Sequence, residues 1–213
     1  MYTNIAEFPA LSFMTPLLAL SIAYLLGAIP FGYLLVKLTT GSDVRASGSG
    51  NIGATNVMRT TGRAAGIATL LLDIAKGYLA VWISGRLTGG DPFWMSAAAL
   101  AVMAGHAYPV FLRFQGGKAV ASFIGAFLCL TPMAMVCALL VFVGVVAVTR
   151  YISMGSISAA ATFPLAVWIV QHPQQPIFIA AVVAAAFIIY RHSSNIRRLH
   201  SGTEHRFSFG TRR

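Results

Sequence analysis

Long apolar runs separated by short polar segments dominate the chain. Residues 13–38, 64–84, 93–112, 152–171 and 176–190 are candidate spans, because a membrane-crossing helix needs roughly 20 predominantly apolar residues. No basic segment precedes the first run, which is too long for a signal-peptide core, so it reads as a retained span. Residues 119–149 form 31 positions without a charge, interrupted at "TPM", Thr131 to Met133. As a single helix they would reach about 46 Å, too long for a hydrocarbon core of about 30 Å.

The basic residues decide between one span and two. Loop 39–63 carries Arg45, Arg59 and Arg63, the next polar loop carries Arg113 and Lys118, Arg150 marks a further turn, and six arginines follow Tyr190. Arg86 and Asp91 stand on the opposite side. The positive-inside rule gathers the basic segments on one face only if 119–149 turns back near Pro132. The predicted fold is an all-α integral membrane protein with seven transmembrane helices, the N-terminus outside and the C-terminus cytoplasmic. No internal repeat and no soluble domain is visible, so residues 1–213 read as one transmembrane domain. The tail "HSGTEHRFSFGTRR" is too short to fold alone and reads as lying on the membrane surface.

Composition agrees. Hydrophobic residues make up 57% of the chain and charged residues 9%, with a mean hydropathy of +0.76; soluble domains carry about 25% charged residues. The net charge of +10 comes from 15 Lys and Arg against 5 Asp and Glu. Positive-inside loops that meet anionic headgroups or anionic substrates account for it, with no call for nucleic acid. Cys129 and Cys137 lie in apolar sequence and read as small core residues.

Three polar segments then share the cytoplasmic side. The first, "RASGSGNIGATNVMR" from Arg45 to Arg59, contains G-x-G-x-x-G at Gly48, Gly50 and Gly53. A dinucleotide fold would surround that pattern with a βαβ unit; here it follows a membrane span. Its physical content survives. Glycines permit left-handed backbone, successive N–H groups form an anion-binding nest, and a helix start just beyond adds a positive dipole end. Arg45 and Arg59 suit phosphate, and Ser47, Ser49, Asn51, Thr55 and Asn56 add donors.

The second segment, "GHAYPVFLRFQGGKAVA", offers Gly116, Gly117 and Lys118. It is no P-loop, since Ala119 occupies the place of the Ser or Thr that would meet Mg²⁺. His106 reads equally as a base or as a hydrogen-bonded interface histidine. The third, "YRHSSNIRRLHSGTEHRF", places His192, Asn195 and Leu199 on one helix face, while Arg191, Arg197 and Arg198 read as positive-inside anchors. Asp73 and Lys76, three residues apart in a span, are ionisable groups in a costly place and read as structural support. Ser153 and Ser156 sit at the next cytoplasmic turn.

Such a site is rich in cations and N–H donors and poor in acids, with Asp43 and Glu204 the carboxylates near the loops. That argues against paired-carboxylate glycoside chemistry and against a carboxylate-held Mg²⁺. No metal and no cofactor is implied. A serine triad using Ser47 or Ser49, His192 and Asp43 is left open. The H-x-x-x-x-D pattern of acyl-CoA-dependent glycerolipid acyltransferases is missing. An organic-phosphate transporter is a second class, but it would show repeated halves and a midplane site.

The segments "SGSGNIGATNVMR", "GHAYPVFLRFQGGK" and "YRHSSNIRRL…GTEHRF", together with "YLLGAIPFGYL" and "LDIAKG", resemble in order and spacing the PlsY family of bacterial acyl-phosphate:glycerol-3-phosphate acyltransferases. The resemblance covers nearly the whole chain. It implies seven helices in the bacterial inner membrane with the active site facing the cytoplasm. The implied reaction moves a fatty acyl group from acyl phosphate to glycerol 3-phosphate, giving lysophosphatidic acid and inorganic phosphate, the first acylation of phospholipid synthesis. Roles carry over to Arg45, Ser47, His192 and Asn195 for activity, to Gly116 and Gly117 for phosphate binding, and to Glu204 as a structural carboxylate. Membrane lipids and a soluble acyl-phosphate-producing enzyme at the cytoplasmic face are the candidate partners. Ala119 departs from the family's usual glycine after "GGK", and Ala28 departs from its usual "LGSIP".

Overall fold

The computed structural model describes residues 9–207, with side chains from Met14 onward. Among these residues the structure is helical, without strands. Ten α-helices run in order: α1 (Pro9–Ala28), α2 (Phe31–Thr40), α3 (Ala54–Thr60), α4 (Arg63–Leu87), α5 (Pro92–Ala107), α6 (Val120–Leu130), α7 (Pro132–Thr149), α8 (Ile152–Gln171), α9 (Gln175–Arg191) and α10 (Ser193–His200).

Prolines set most of the breaks. The predicted first span is interrupted between Ala28 and Phe31, where Pro30 brings no N–H and bars Ile29 from helical backbone. Pro109 ends the third span at α5 and starts a short 3-10 turn, Val110–Leu112. Thr131 serves both as C-cap of α6 and N-cap of α7, with Pro132 opening the new helix, so the uncharged run 119–149 does divide at Pro132. Five helices or helix pairs are long and apolar enough to cross a membrane by themselves, and α9 joined to α10 across a 54° bend makes a sixth. The remaining apolar helix, α6, has 11 residues, about 16 Å.

Small residues let these helices meet backbone to backbone, as membrane packing favours. In α1 and α5, a Cβ on Gly27 would lie 2.2 Å from the Val102 carbonyl, and one on Gly105 would lie 2.1 Å from the Tyr24 carbonyl. In α4 and α6, Gly77 and Gly125 make the same close approach to the carbonyls of Ser122 and Ile74. Phe123, Phe127 and Phe163 fill the centre, with ring centroids 4.9–5.0 Å apart. Large apolar side chains such as Leu140, Val148 and Leu165 face outward, the arrangement expected where the solvent is hydrocarbon. Asn51, Lys118 and Arg191, from three polar segments far apart in sequence, come together around one cavity.

Candidate active site

The first loop is organised by a buried amide. Asn56 is 2% exposed. Its Oδ1 accepts the Ser49 N–H at 2.8 Å, and its Nδ2 donates to the carbonyls of Val44, Ser47 and Asn51 at 2.9–3.2 Å. Gly48 and Gly50 adopt φ of 62° and 70°, the left-handed backbone their type permits; Gly53 does not, and caps α3 in extended form. Asn51 Oδ1 accepts the Gly53 N–H. Among the described residues the N–H groups of Gly48 and Asn51 meet no protein acceptor, and the Ser47, Ser49 and Thr55 side chains are exposed. Arg45 pairs with Asp43 at 2.6 Å and lies over the Tyr33 ring. Arg59 is exposed on α3.

The second loop is held from both sides. The Gly116 and Gly117 N–H groups donate to the carbonyls of Ala107 and His106. The Arg191 guanidinium donates to the Gly117 carbonyl at 2.9 Å and rests on the Tyr108 ring. Both glycine N–H groups are therefore already paired within the protein, and what the turn offers a ligand is its shape and the aim of Lys118. Ala119 adopts φ 61°, left-handed backbone that glycine accommodates at less cost.

The third segment converges on a carboxylate. Lys118 Nζ donates to Asn195 Oδ1. Asn195 Nδ2 donates to Glu204 Oε1 at 2.7 Å, Ser153 Oγ donates to the same oxygen at 2.8 Å, and Arg198 Nε donates to Oε2 at 2.6 Å. Burial works against the Glu204 charge, but these three donors outweigh it and hold the carboxyl below its usual range. Ser153 is thus committed to Glu204 rather than to open space. His192 sits at the bend between α9 and α10. Its Nδ1–H donates to the Ile188 carbonyl at 2.8 Å, which leaves Nε2 as the unprotonated nitrogen of the neutral ring.

A cavity of about 230 Å³ lies among Asn51, Lys118, Tyr190, Arg191, Ser193 and Ser194. It joins all three segments. Burial lowers the Lys118 ammonium to about 8; Glu204 opposes that shift, and the cations of Arg198, Arg191 and Arg59 add to it. Burial and the Lys118 charge push the His192 imidazole down to about 4. At neutral pH the site therefore presents clustered cations and a neutral histidine, an environment that draws in a dianion.

A sequence model described as Glycerol-3-phosphate acyltransferase matches residues 17–202. The chain belongs to the glycerol-3-phosphate acyltransferase family. A glycerol-3-phosphate acyltransferase of Geobacter sulfurreducens is 49% identical over 195 residues, covering 91% of this chain and 98% of that protein. One of Trichlorobacter lovleyi is 52% identical over 185 residues, covering 87% and 94%. Among solved structures, PlsY (YgiH), described as an integral membrane glycerol 3-phosphate acyltransferase in its glycerol 3-phosphate form, matches with a TM-score of 0.86 at 40% identity, over 91% of this chain and 96% of that one. Its lysophosphatidic acid form matches with a TM-score of 0.83 at 38% identity, over 91% and 95%.

This acyltransferase-family chain is accordingly a multi-pass membrane protein. Its cavity includes residues the motif reading passed over. Tyr190, Ser193 and Ser194 line it, and Arg191 is a clamp on the Gly116–Gly117 turn rather than only an anchor. Arg191 could have been singled out as the one arginine at the bend itself, directly before His192.

Proposed function

We propose that the protein transfers a fatty acyl group from acyl phosphate to glycerol 3-phosphate, forming lysophosphatidic acid and inorganic phosphate. It would do so at the cytoplasmic face of the bacterial inner membrane, with α6 as the short pass that completes seven and the N-terminus outside. The observation that carries this reading is the cationic cavity beside Lys118 in a chain of the glycerol-3-phosphate acyltransferase family. Its volume suits a three-carbon phosphate ester, and the apolar outer face of the bundle suits a fatty chain.

The chemistry needs few protein groups. The glycerol hydroxyl oxygen attacks the acyl carbonyl carbon, the bond from that carbon to the phosphate oxygen breaks, and phosphate leaves with the electron pair. Holding two phosphates so that hydroxyl and carbonyl meet supplies proximity. Arg59 and Arg45 with the loop N–H groups offset charge gathering on the carbonyl oxygen and the leaving phosphate. Lys118 holds the phosphate of glycerol 3-phosphate, and Asn51, Ser193 and Ser194, which line the same cavity, orient it. Ser47 and Ser49 contribute hydroxyl donors, and with Gly48, Gly50, Gly53 and Thr55 they shape the cradle for the acyl phosphate.

The hydroxyl proton passes to the departing phosphate. His192, lowered to about 4, is a weaker base than a phosphate whose second ionisation lies near 6. No carboxylate backs the ring, since its Nδ1 faces a backbone carbonyl. Ser47 has no histidine bonded to it among the described residues, so direct attack is favoured over a covalent acyl-serine.

Purified protein given labelled glycerol 3-phosphate and palmitoyl phosphate, without metal, tests the proposal. Labelled lysophosphatidic acid and one equivalent of phosphate are expected. Product from palmitoyl-CoA alone would overturn the donor. Binding of glycerol 3-phosphate without product from either donor would overturn the transferase reading.

A further inference from the structure

One buried polar cluster plays no part in that chemistry. Asp73 and Lys76 of α4, His106 of α5 and Ser122 of α6 are all less than 5% exposed. Lys76 Nζ stands 2.8 Å from Asp73 Oδ1 and donates at 2.8 Å to the Ile29 carbonyl at the Pro30 break. Asp73 Oδ1 has no hydrogen-bond donor aligned on it; His106 Nδ1 lies 3.6 Å away. Ser122 Oγ is 3.2 Å from the same nitrogen. One edge of the imidazole is thereby held by Ser122 of α6, with Asp73 of α4 beside it.

The other edge meets the second loop. A Cβ on Gly117 would lie 2.2 Å from His106 Nε2 and 2.9 Å from Cδ2. The His106 carbonyl also accepts the Gly117 N–H at 3.1 Å, while Arg191 holds the Gly117 carbonyl from the far side. Gly117 is thus pinned between His106 and Arg191, and the next residue is Lys118. Charges within a membrane bundle are costly, and apolar side chains of the same volume would avoid that cost. What apolar side chains could not supply is direction: a hydrogen-bonded ring held at one height under the turn.

We propose that His106, with its ring fixed by Ser122 and set beside Asp73, is a positioning residue for Lys118. This rests on the reading that Lys118 holds the phosphate of glycerol 3-phosphate. The ring sets how far the Gly116–Gly117 turn sinks toward α5, and so where the ammonium stands relative to Asn195. Lys76 balances the Asp73 charge and ties the same cluster to the broken first span, whose second half, α2, leads into the first loop.

The test compares wild type, Ser122→Ala, Gly117→Ala, His106→Asn and the double variant His106→Asn with Gly117→Ala in detergent. Melting temperature, kcat and the KM for glycerol 3-phosphate are measured with palmitoyl phosphate as donor. Ser122→Ala removes one hydrogen bond and should raise KM about fivefold with kcat and melting temperature little changed. Gly117→Ala drives a methyl into the ring and should raise KM further. The shorter Asn side chain makes room for that methyl, so the double variant should recover KM by about threefold or more over Gly117→Ala alone. An unchanged KM in Ser122→Ala, or a double variant no better than Gly117→Ala, would overturn the positioning role while wild-type turnover stands. Absent wild-type turnover would overturn the functional reading and this inference with it.

Discussion

Lys118 Nζ donates to Asn195 Oδ1 across 77 residues of chain. The amide passes the contact on, because Asn195 Nδ2 donates to Glu204. A cation and a carboxylate are thus held apart by one side chain, which aims the ammonium without neutralising it in a direct ion pair. That leaves Lys118 with a charge to offer a ligand and a fixed place from which to offer it.

The Lys118 ammonium titrates near 8 in the free protein. A cation is present below its pKa, so the hold on phosphate proposed for it should be complete at low pH and lost as pH rises through about 8. The value of kcat/KM for glycerol 3-phosphate should fall on the alkaline side with an apparent pKa near that figure. Lys118→Arg should remove that limb, since guanidinium stays protonated throughout. On the acid side His192 remains neutral down to about 4, so a loss near pH 6 would report the substrate phosphates. A wild-type profile flat to about pH 10 would contradict the assignment.

Arg45 pairs with Asp43 where both side chains are about one-third exposed, 31% and 35%. Exposed pairs contribute roughly 0–1 kcal/mol to stability. Arg45→Ala should therefore leave the melting temperature nearly unchanged. If the guanidinium offsets transition-state charge, turnover should fall about 10²-fold or more. Turnover at the wild-type level would remove Arg45 from the site.

Asn56 makes four hydrogen bonds within the first loop. Asn56→Ala leaves three carbonyls and the Ser49 N–H without that partner, at about 1–3 kcal/mol for each group that stays buried and unpaired. The loop should loosen while the membrane helices hold. Faster tryptic cleavage in the 45–63 segment and at least about tenfold lower kcat/KM are expected, with little change in global melting. Asn56→Asp should do no better, because a carboxylate would face carbonyl oxygens.

The helices were legible because lipid imposes a simple rule, and the apolar runs with the turn at Pro132 report it directly; the breaks at Pro30 and Pro109 fall inside runs read as continuous, because hydropathy does not register a proline that a membrane span can also tolerate. The three polar segments were legible as a set because arginine, glycine and asparagine have little reason to recur at one membrane face otherwise. The use of each residue was not. Asn56 and Ser153 carry donors that suit a ligand, yet both point into the protein, to the loop carbonyls and to Glu204. Gly116 and Gly117 read as N–H donors to phosphate, yet they are glycine because His106 and Pro109 leave no room for a Cβ. Arg191 looks like any positive-inside arginine until the bend at His192 brings it to the Gly117 carbonyl. These outcomes depend on contacts between segments far apart in sequence, which residue type and spacing do not encode.

Direct transfer, in which the acyl phosphate supplies both the activated acyl group and the proton acceptor, differs from a covalent route in what binds to the protein. A rapid-quench experiment with carbonyl-labelled palmitoyl phosphate, with and without glycerol 3-phosphate, separates the two. Direct transfer predicts no label bound to protein at any time, and phosphate released only when glycerol 3-phosphate is present, in step with lysophosphatidic acid. A burst of phosphate without acceptor, together with label on a serine that disappears in Ser47→Ala, would contradict it.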